Sequence, residues 1–224
     1  MCEDKKIKAA IFDCDGVLLD TSKQWEYIDS FLLRKAGLEY TEEFSRQVSH
    51  FSTWQAAEFF HGELGLGGSA QEVLGMIDDI MLNYYKYEAE QIAGSLDFVR
   101  QLFEKGVPCA VASTSPQQFL QPALKRCGFA PYLNAVVSVD DVQRPKTYPD
   151  VYNFACEILK ATPDSTIVFE DSRFTFSALK QGGYIICEFG DVCGMPHGND
   201  EIIVPDYSFS KFSEIDVASL LSLN

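Results

Sequence analysis

Positive charge is what this sequence has least of. Eighteen Lys and Arg stand against 33 Asp and Glu, a formal net charge of −15. A chain this acidic is a poor partner for nucleic acid or an anionic membrane, and an anionic substrate would need local cations or a metal to be accepted. Long apolar runs are also missing. No stretch approaches the roughly eighteen residues of a transmembrane helix, so none is expected. Met1 to Lys6 is charged and has no signal-peptide core, which leads to the expectation of a cytoplasmic protein. Cysteine spacing of the metal-binding kind is absent too. The seven cysteines, at 2, 14, 109, 127, 156, 187 and 193, are odd in number and include no CxxC. That argues against a zinc or disulfide framework and fits buried thiols in a reducing compartment. Internal repeats and low-complexity segments are lacking. With 46% apolar and 13% aromatic residues, disorder is not expected. The length suits one moderate domain, or a core with a smaller insert.

What is present begins with Ile7-Lys8-Ala9-Ala10-Ile11-Phe12-Asp13-Cys14-Asp15-Gly16. The apolar, β-prone run reads as a buried strand whose end carries Asp13 and Asp15 to the rim of a sheet. Two such acids repel one another, and a divalent cation is one remedy. Oxygen ligands of this type suit Mg²⁺. Taken alone, the pair reads equally well as a polar loop after a strand. Cys14, between them, reads as a buried side chain on the opposite face of the pleat.

Gly16 permits a sharp turn, and Thr21 or Ser22 can cap a following helix. Helical patterns occupy about Lys23–Ala36, Thr41 to about Val48, and Ser52 or Thr53 to Phe60. A further helix opens at Ser69, where Ser69 and Glu72 have capping-box spacing. Residues 20–92 therefore read as an all-helical insert. Gly65 and Gly67 do not form a dinucleotide fingerprint, because no strand precedes them.

From Ile92 the pattern alternates. Helices are expected at Leu96–Lys105, Pro116–Cys127, Pro149–Leu159, Arg173–Gln181 and Ile215–Leu223. Strands are expected at 107–112, 135–139, 166–169 and 184–189, with 190–204 irregular. This alternation predicts an α/β fold: a doubly wound parallel sheet with helices on both faces. Ligands of such sheets bind beyond the carboxyl ends of the strands. Asp13, Ser113 and Asp171 fall there. Ser113 and Thr114, after a strand and before a helix, could cradle a phosphate or serve as an ordinary cap. Lys146 could be a site cation or solvated surface. Glu170 and Asp171 could complete a metal site or be a solvated pair.

Taken together, these stretches resemble the haloacid dehalogenase-like hydrolase superfamily, in the branch of β-phosphoglucomutase and small sugar-phosphate phosphatases. The motifs are Asp13-Cys14-Asp15-Gly16-Val17-Leu18-Leu19-Asp20-Thr21, Ala112-Ser113-Thr114-Ser115-Pro116, Lys146-Thr147-Tyr148-Pro149-Asp150 and Phe169-Glu170-Asp171-Ser172, in that order along residues 7 to 222. The resemblance implies a Rossmann-like core of residues 1–19 and 93–224 with a helical cap of the C1 type at 20–92. It implies Asp13 as a nucleophile forming an aspartyl-phosphate and Asp15 as general acid, then base. Ser113, with Thr114, would hydrogen-bond the phosphoryl group, and Lys146 would neutralise it. Mg²⁺ would be held by Asp13, the Asp15 backbone carbonyl, Asp171 and Glu170, the last directly or through water. Gln47, His50 and Trp54, around a turn between cap helices, are candidates to touch the leaving group. Ordinary packing is the alternative for His50 and Trp54, and a plain surface loop that for Cys193 and His197.

The chain departs from the family pattern in places. Trp25 stands where mutases of this branch carry a histidine, which favours a phosphatase. Thr147 replaces a proline, and Thr175 a glycine. The expected activity is thus a Mg²⁺-dependent phosphatase of a small phosphorylated metabolite such as a sugar phosphate, acting as a monomer without nucleic-acid or membrane partners. The alternatives are a phosphoglucomutase-like isomerase and a phosphometabolite-binding module without turnover.

Overall fold

The computed structural model describes residues 7–48, 51–193 and 203–222. In chain order it runs β1 (Ala9–Phe12), β2 (Leu19–Asp20), α1 (Ser22–Lys35), α2 (Glu42–Val48), α3 (Thr53–Gly62), α4 (Ala70–Tyr87) and β3 (Glu90–Gln91). It continues α5 (Ser95–Glu104), β4 (Cys109–Ser113), α6 (Gln117–Arg126), β5 (Ala135–Ser138), α7 (Val139–Val142) and α8 (Asp150–Ile158). Last come β6 (Thr166–Ser172), α9 (Phe176–Gly182), β7 (Ile185–Cys193), β8 (Tyr207–Phe209) and α10 (Val217–Ser222). Six strands form one parallel sheet in the order β5-β4-β1-β6-β7-β8.

Strand alternation builds two cores from this sheet. Ala10, Phe12, Val111, Ile167 and Phe169 face α5, α6 and α10, where Phe98, Phe119 and Leu220 meet them. Ala9, Ile11, Ala110, Ala112 and Val168 face α8 and α9, meeting Val151, Tyr152 and Leu179. Strands buried on both faces are what the continuous apolar runs demanded. Central β1 is fully enclosed, and Phe12 stacks on Phe169 with ring centroids 4.8 Å apart.

Between β1 and α5 the chain leaves the sheet. β2 and β3 pair antiparallel, Leu19 with Gln91 and Asp20 with Glu90, and among the described residues the elements between them are all helices. Apolar residues of α4 at helical spacing, Val73, Ile77 and Met81, are buried, and α4 packs on both α3 and α6. Ser52 opens α3 with a full capping box: its Oγ accepts from Gln55 N, while Gln55 Oε1 accepts from Ser52 N. At α4 the expected box is only half formed. Ser69 Oγ accepts from Glu72 N, but Glu72 Oε2 reaches one residue further and accepts from Gly68 N at 2.7 Å.

Other differences are local. Pro116 and Pro149 sit at N-cap positions, one residue before their helices. β6 extends through Ser172, so Glu170 and Asp171 lie within a strand, and Arg173–Thr175 form a 3₁₀ turn before α9. β7 runs on to Cys193, while residues 194–202, with His197, lie outside those described. Among the described residues no helix is long and apolar enough to cross a membrane.

Candidate active site

β1 and β6 are neighbours, and their carboxyl ends bring the acids together. Asp13 continues the ladder, its N–H donating to Phe169 O at 2.9 Å. Next to it lie Glu170 and Asp171 of β6. Carboxylate oxygens of Asp13, Glu170 and Asp171 lie within 4.8 Å of one another. Lys146, from the loop between α7 and α8, reaches under them and is 2% exposed. Its ammonium donates to Asp13 Oδ1 at 2.7 Å and to Glu170 Oε1 at 2.6 Å. Tyr152 of α8 donates to the same Glu170 oxygen at 2.6 Å, and the Lys146 ammonium sits over the Tyr152 ring.

Three carboxyl groups around one ammonium are hard to keep ionised in a dry place. Burial pushes the Asp13 carboxyl up to about 7, and Glu170 and Asp15 push the same way against Lys146. Asp171 is likewise pushed up to about 7, by burial first and then by Asp13. Glu170 is raised mainly by burial. Burial alone would lower the Lys146 ammonium, but Asp13 and Glu170 hold it above the ordinary lysine value. The cluster therefore has room for more positive charge. Glu170 Oε2 says the same: it is buried and has no hydrogen-bond partner among the described residues. An all-oxygen donor set of this kind fits a hard divalent cation.

Asp15 stands apart from the cluster. Its carboxylate accepts from Thr21 Oγ1 and Tyr85 OH on Oδ1, at 2.6 and 2.5 Å, and from Ser115 Oγ on Oδ2 at 2.6 Å. Thr21 holds the N-cap position of α1, as expected, but its hydroxyl does not cap the helix; it is committed to Asp15. Of the metal ligands implied by the sequence, Asp15 could thus contribute only its backbone carbonyl. Cys14 points into the core below, its thiol pushed well up by burial and by Asp15 and Asp13.

A cavity of about 610 Å³ opens above these groups, between the sheet and the helices α1–α4. Asp13, Asp15, Lys146, Glu170 and Asp171 form its floor. Thr114 and Ser115 form one wall, at the entry to α6. Ser113 lies just behind, fully buried, its Oγ accepting from Ser115 N at 3.0 Å. The opposite wall carries Lys23, Trp25, Glu26 and Asp29 of α1 and Phe51, Ser52 and Thr53 around the start of α3.

Among the described residues the turn before α3 lines the cavity through Phe51, Ser52 and Thr53. Trp54 is corrected: it is 41% exposed and lines a separate crevice with Leu74, Asp78 and Gln118. The reason is helical phase. Thr53 and Ala56 face the cavity, and Trp54 is turned about 100° away from Thr53. Gln47 is exposed and is not among the lining residues. His50 lies outside the described residues.

Residues 7–183 match the family described as haloacid dehalogenase-like hydrolase. The chain belongs to that family. Among curated relatives of this haloacid dehalogenase-like hydrolase is the validoxylamine A 7'-phosphate phosphatase of Streptomyces hygroscopicus subsp. limoneus, 28% identical over 80% of this chain and 84% of that protein. The phosphorylated carbohydrates phosphatase of Thermotoga maritima is 24% identical over 79% of this chain and 82% of its own. Solved structures agree on the fold. The β-phosphoglucomutase of Clostridium difficile superposes with a TM-score of 0.78 at 13% identity, covering 96% of this chain and 95% of that one. CbbY of Rhodobacter sphaeroides, in complex with phosphate, gives 0.74 at 19% identity, covering 96% and 99%. The family expected from the motifs is the family found, and the chain is a hydrolase of that fold.

Proposed function

We propose that this hydrolase is a Mg²⁺-dependent phosphatase of small phosphorylated metabolites, sugar phosphates foremost, working through an aspartyl-phosphate on Asp13. The observation that carries the reading is the division of labour between two aspartates. Asp13 is held by Lys146 within the acidic cluster. Asp15 is outside it, fixed by three hydroxyls on the floor of the same cavity. The first arrangement suits a nucleophile and the second a proton carrier.

In the first step an Asp13 oxygen attacks phosphorus, the ester P–O bond breaks, and Asp15 gives a proton to the departing alkoxide. In the second, water attacks the phosphorus of the aspartyl-phosphate and loses a proton to Asp15. The bond to Asp13 breaks and inorganic phosphate leaves. Lys146 supplies a fixed positive charge beside the nucleophile, and Ser113 and Thr114 would hold the phosphoryl oxygens. Mg²⁺, held by Asp13, Asp171, the Asp15 carbonyl and Glu170, would neutralise charge on the phosphate.

We assign residues 1–19 and 93–224 to the core and 20–92 to a cap that excludes water from the first step. A cavity of about 610 Å³ is of the size that encloses a metabolite. Its cap wall mixes Ser, Thr, Lys and carboxyl groups, which suits a leaving group rich in hydroxyls. The phosphatase names of the relatives point the same way. Trp25, at the position where mutases carry a histidine, speaks against an isomerase. Buried free thiols at Cys14, Cys109, Cys156 and Cys187 agree with a cytoplasmic setting.

The test is a panel of sugar phosphates and 4-nitrophenyl phosphate assayed with Mg²⁺. Phosphate release is expected for the wild-type chain and none for Asp13→Asn. Turnover that survives this change, or conversion of β-glucose 1-phosphate to glucose 6-phosphate without free phosphate, would overturn the reading.

A further inference from the structure

Tyr85, near the end of α4, comes from the cap yet touches the group that must carry the proton. It is fully buried, and its hydroxyl lies 2.5 Å from Asp15 Oδ1. Behind it, Trp25 Nε1 donates to the Tyr85 oxygen at 3.0 Å. An indole N–H can only donate. The Tyr85 oxygen therefore accepts on that side, and its own proton is left for Asp15. Ser115 Oγ, the donor to the other Asp15 oxygen, lies 3.4 Å from the same phenol.

The ring that carries the hydroxyl is held on both sides. It stacks on Phe119 of α6, centroids 5.3 Å apart and 18° from parallel, and meets the Trp25 ring edge-on at 6.4 Å. Such packing removes the rotational freedom that an exposed tyrosine would have to lose on each turnover. A phenol keeps its proton at neutral pH, so it stays a donor.

We infer that Tyr85 is a positioning residue for Asp15, with Trp25 fixing the direction of its hydrogen bond. This deepens the phosphatase reading and rests on it. Tyr85 and Trp25 each lie five residues along the chain from the paired strands β3 and β2. Asp15 thus keeps its aim through both halves of the reaction, when it gives a proton and when it takes one.

The leaving group provides the test. An alkyl ester needs a proton on its departing oxygen, whereas 4-nitrophenolate departs without one, so misaiming Asp15 should hurt only the alkyl ester. kcat/KM is measured for the best sugar phosphate of the panel and for 4-nitrophenyl phosphate, with wild type, Tyr85→Phe and Trp25→Phe. Tyr85→Phe should lower the alkyl value by about 10²-fold and leave the aryl value nearly unchanged. Trp25→Phe should give a smaller loss with the same preference. Tyr84→Phe, which removes a hydroxyl bonded to Asp20 O on the neighbouring turn, should change neither. Equal loss on both esters would mean structural damage and overturn the inference, as would no loss on either. A wild-type chain inert toward every ester would instead sink the phosphatase reading, and the inference with it.

Discussion

Gly16 shows how little slack the site has. Its backbone stands at φ +81°, and a Cβ there would lie 2.0 Å from Asp171 Oδ2. Gly16→Ala should therefore cost about 1–2 kcal/mol in backbone strain alone and push the Asp171 carboxylate out of the cluster. The expected result is loss of phosphatase turnover together with loss of the rise in Tm that added Mg²⁺ should give the wild-type chain. A retained Mg²⁺ shift would refute this. At this scale the sequence was informative where chemistry is written in short motifs. Asp13, Asp15, Lys146, Glu170 and Asp171 all reach one cavity floor. It was silent on Ser115, Tyr85 and Tyr152, whose partners lie 100, 70 and 18 residues away. A lone hydroxyl in a helix or a loop carries no spacing signal; only the fold selects it.

Among elements, the adjacency of β1 and β6 matters most, because it sets Asp13 beside Asp171. Phe12 and Phe169 fix that pair of strands one layer below the acids. Phe169→Ala should destabilise the protein by about 3–5 kcal/mol, read as a lower denaturant midpoint with an unchanged slope. A cost below about 1 kcal/mol would show that the strands are held elsewhere. Long apolar runs and capped amphipathic stretches made the main strands and all four inserted helices legible. β2, β3 and β8 were not, because two or three residues carry no period. Helical phase was the other blind spot. Trp54 was placed on the right helix and the wrong face, since a turn of uncertain length precedes it.

Over the whole molecule, the acid surplus reaches into the helices between β2 and β3. Burial, assisted by Glu26, pushes the Asp29 carboxyl from 3.8 to about 7. A carboxyl raised in the folded state binds its proton more tightly there than in the unfolded chain. Stability therefore falls as pH rises from 3.8 to about 7, and the full penalty remains above that window. Asp29→Asn should raise Tm at pH 8, by about 2–4 °C for each kcal/mol relieved, and the gain should vanish below pH 4. A gain independent of pH would rule out this origin. The fold class and the order of its motifs were readable from one end of the chain to the other, whereas the shape of the cavity depends on packing that no local pattern encodes.

The pairing of β2 with β3 has a mechanical consequence. Two separate tethers would let the helical part twist, shear and tilt independently of the sheet. Hydrogen-bonded side by side, Leu19 beside Gln91 and Asp20 beside Glu90, they should act as one flat spring, softer to bending than to torsion. Helices α1–α4 would then be left with one easy axis, so any movement of theirs against the sheet is expected to follow a single arc.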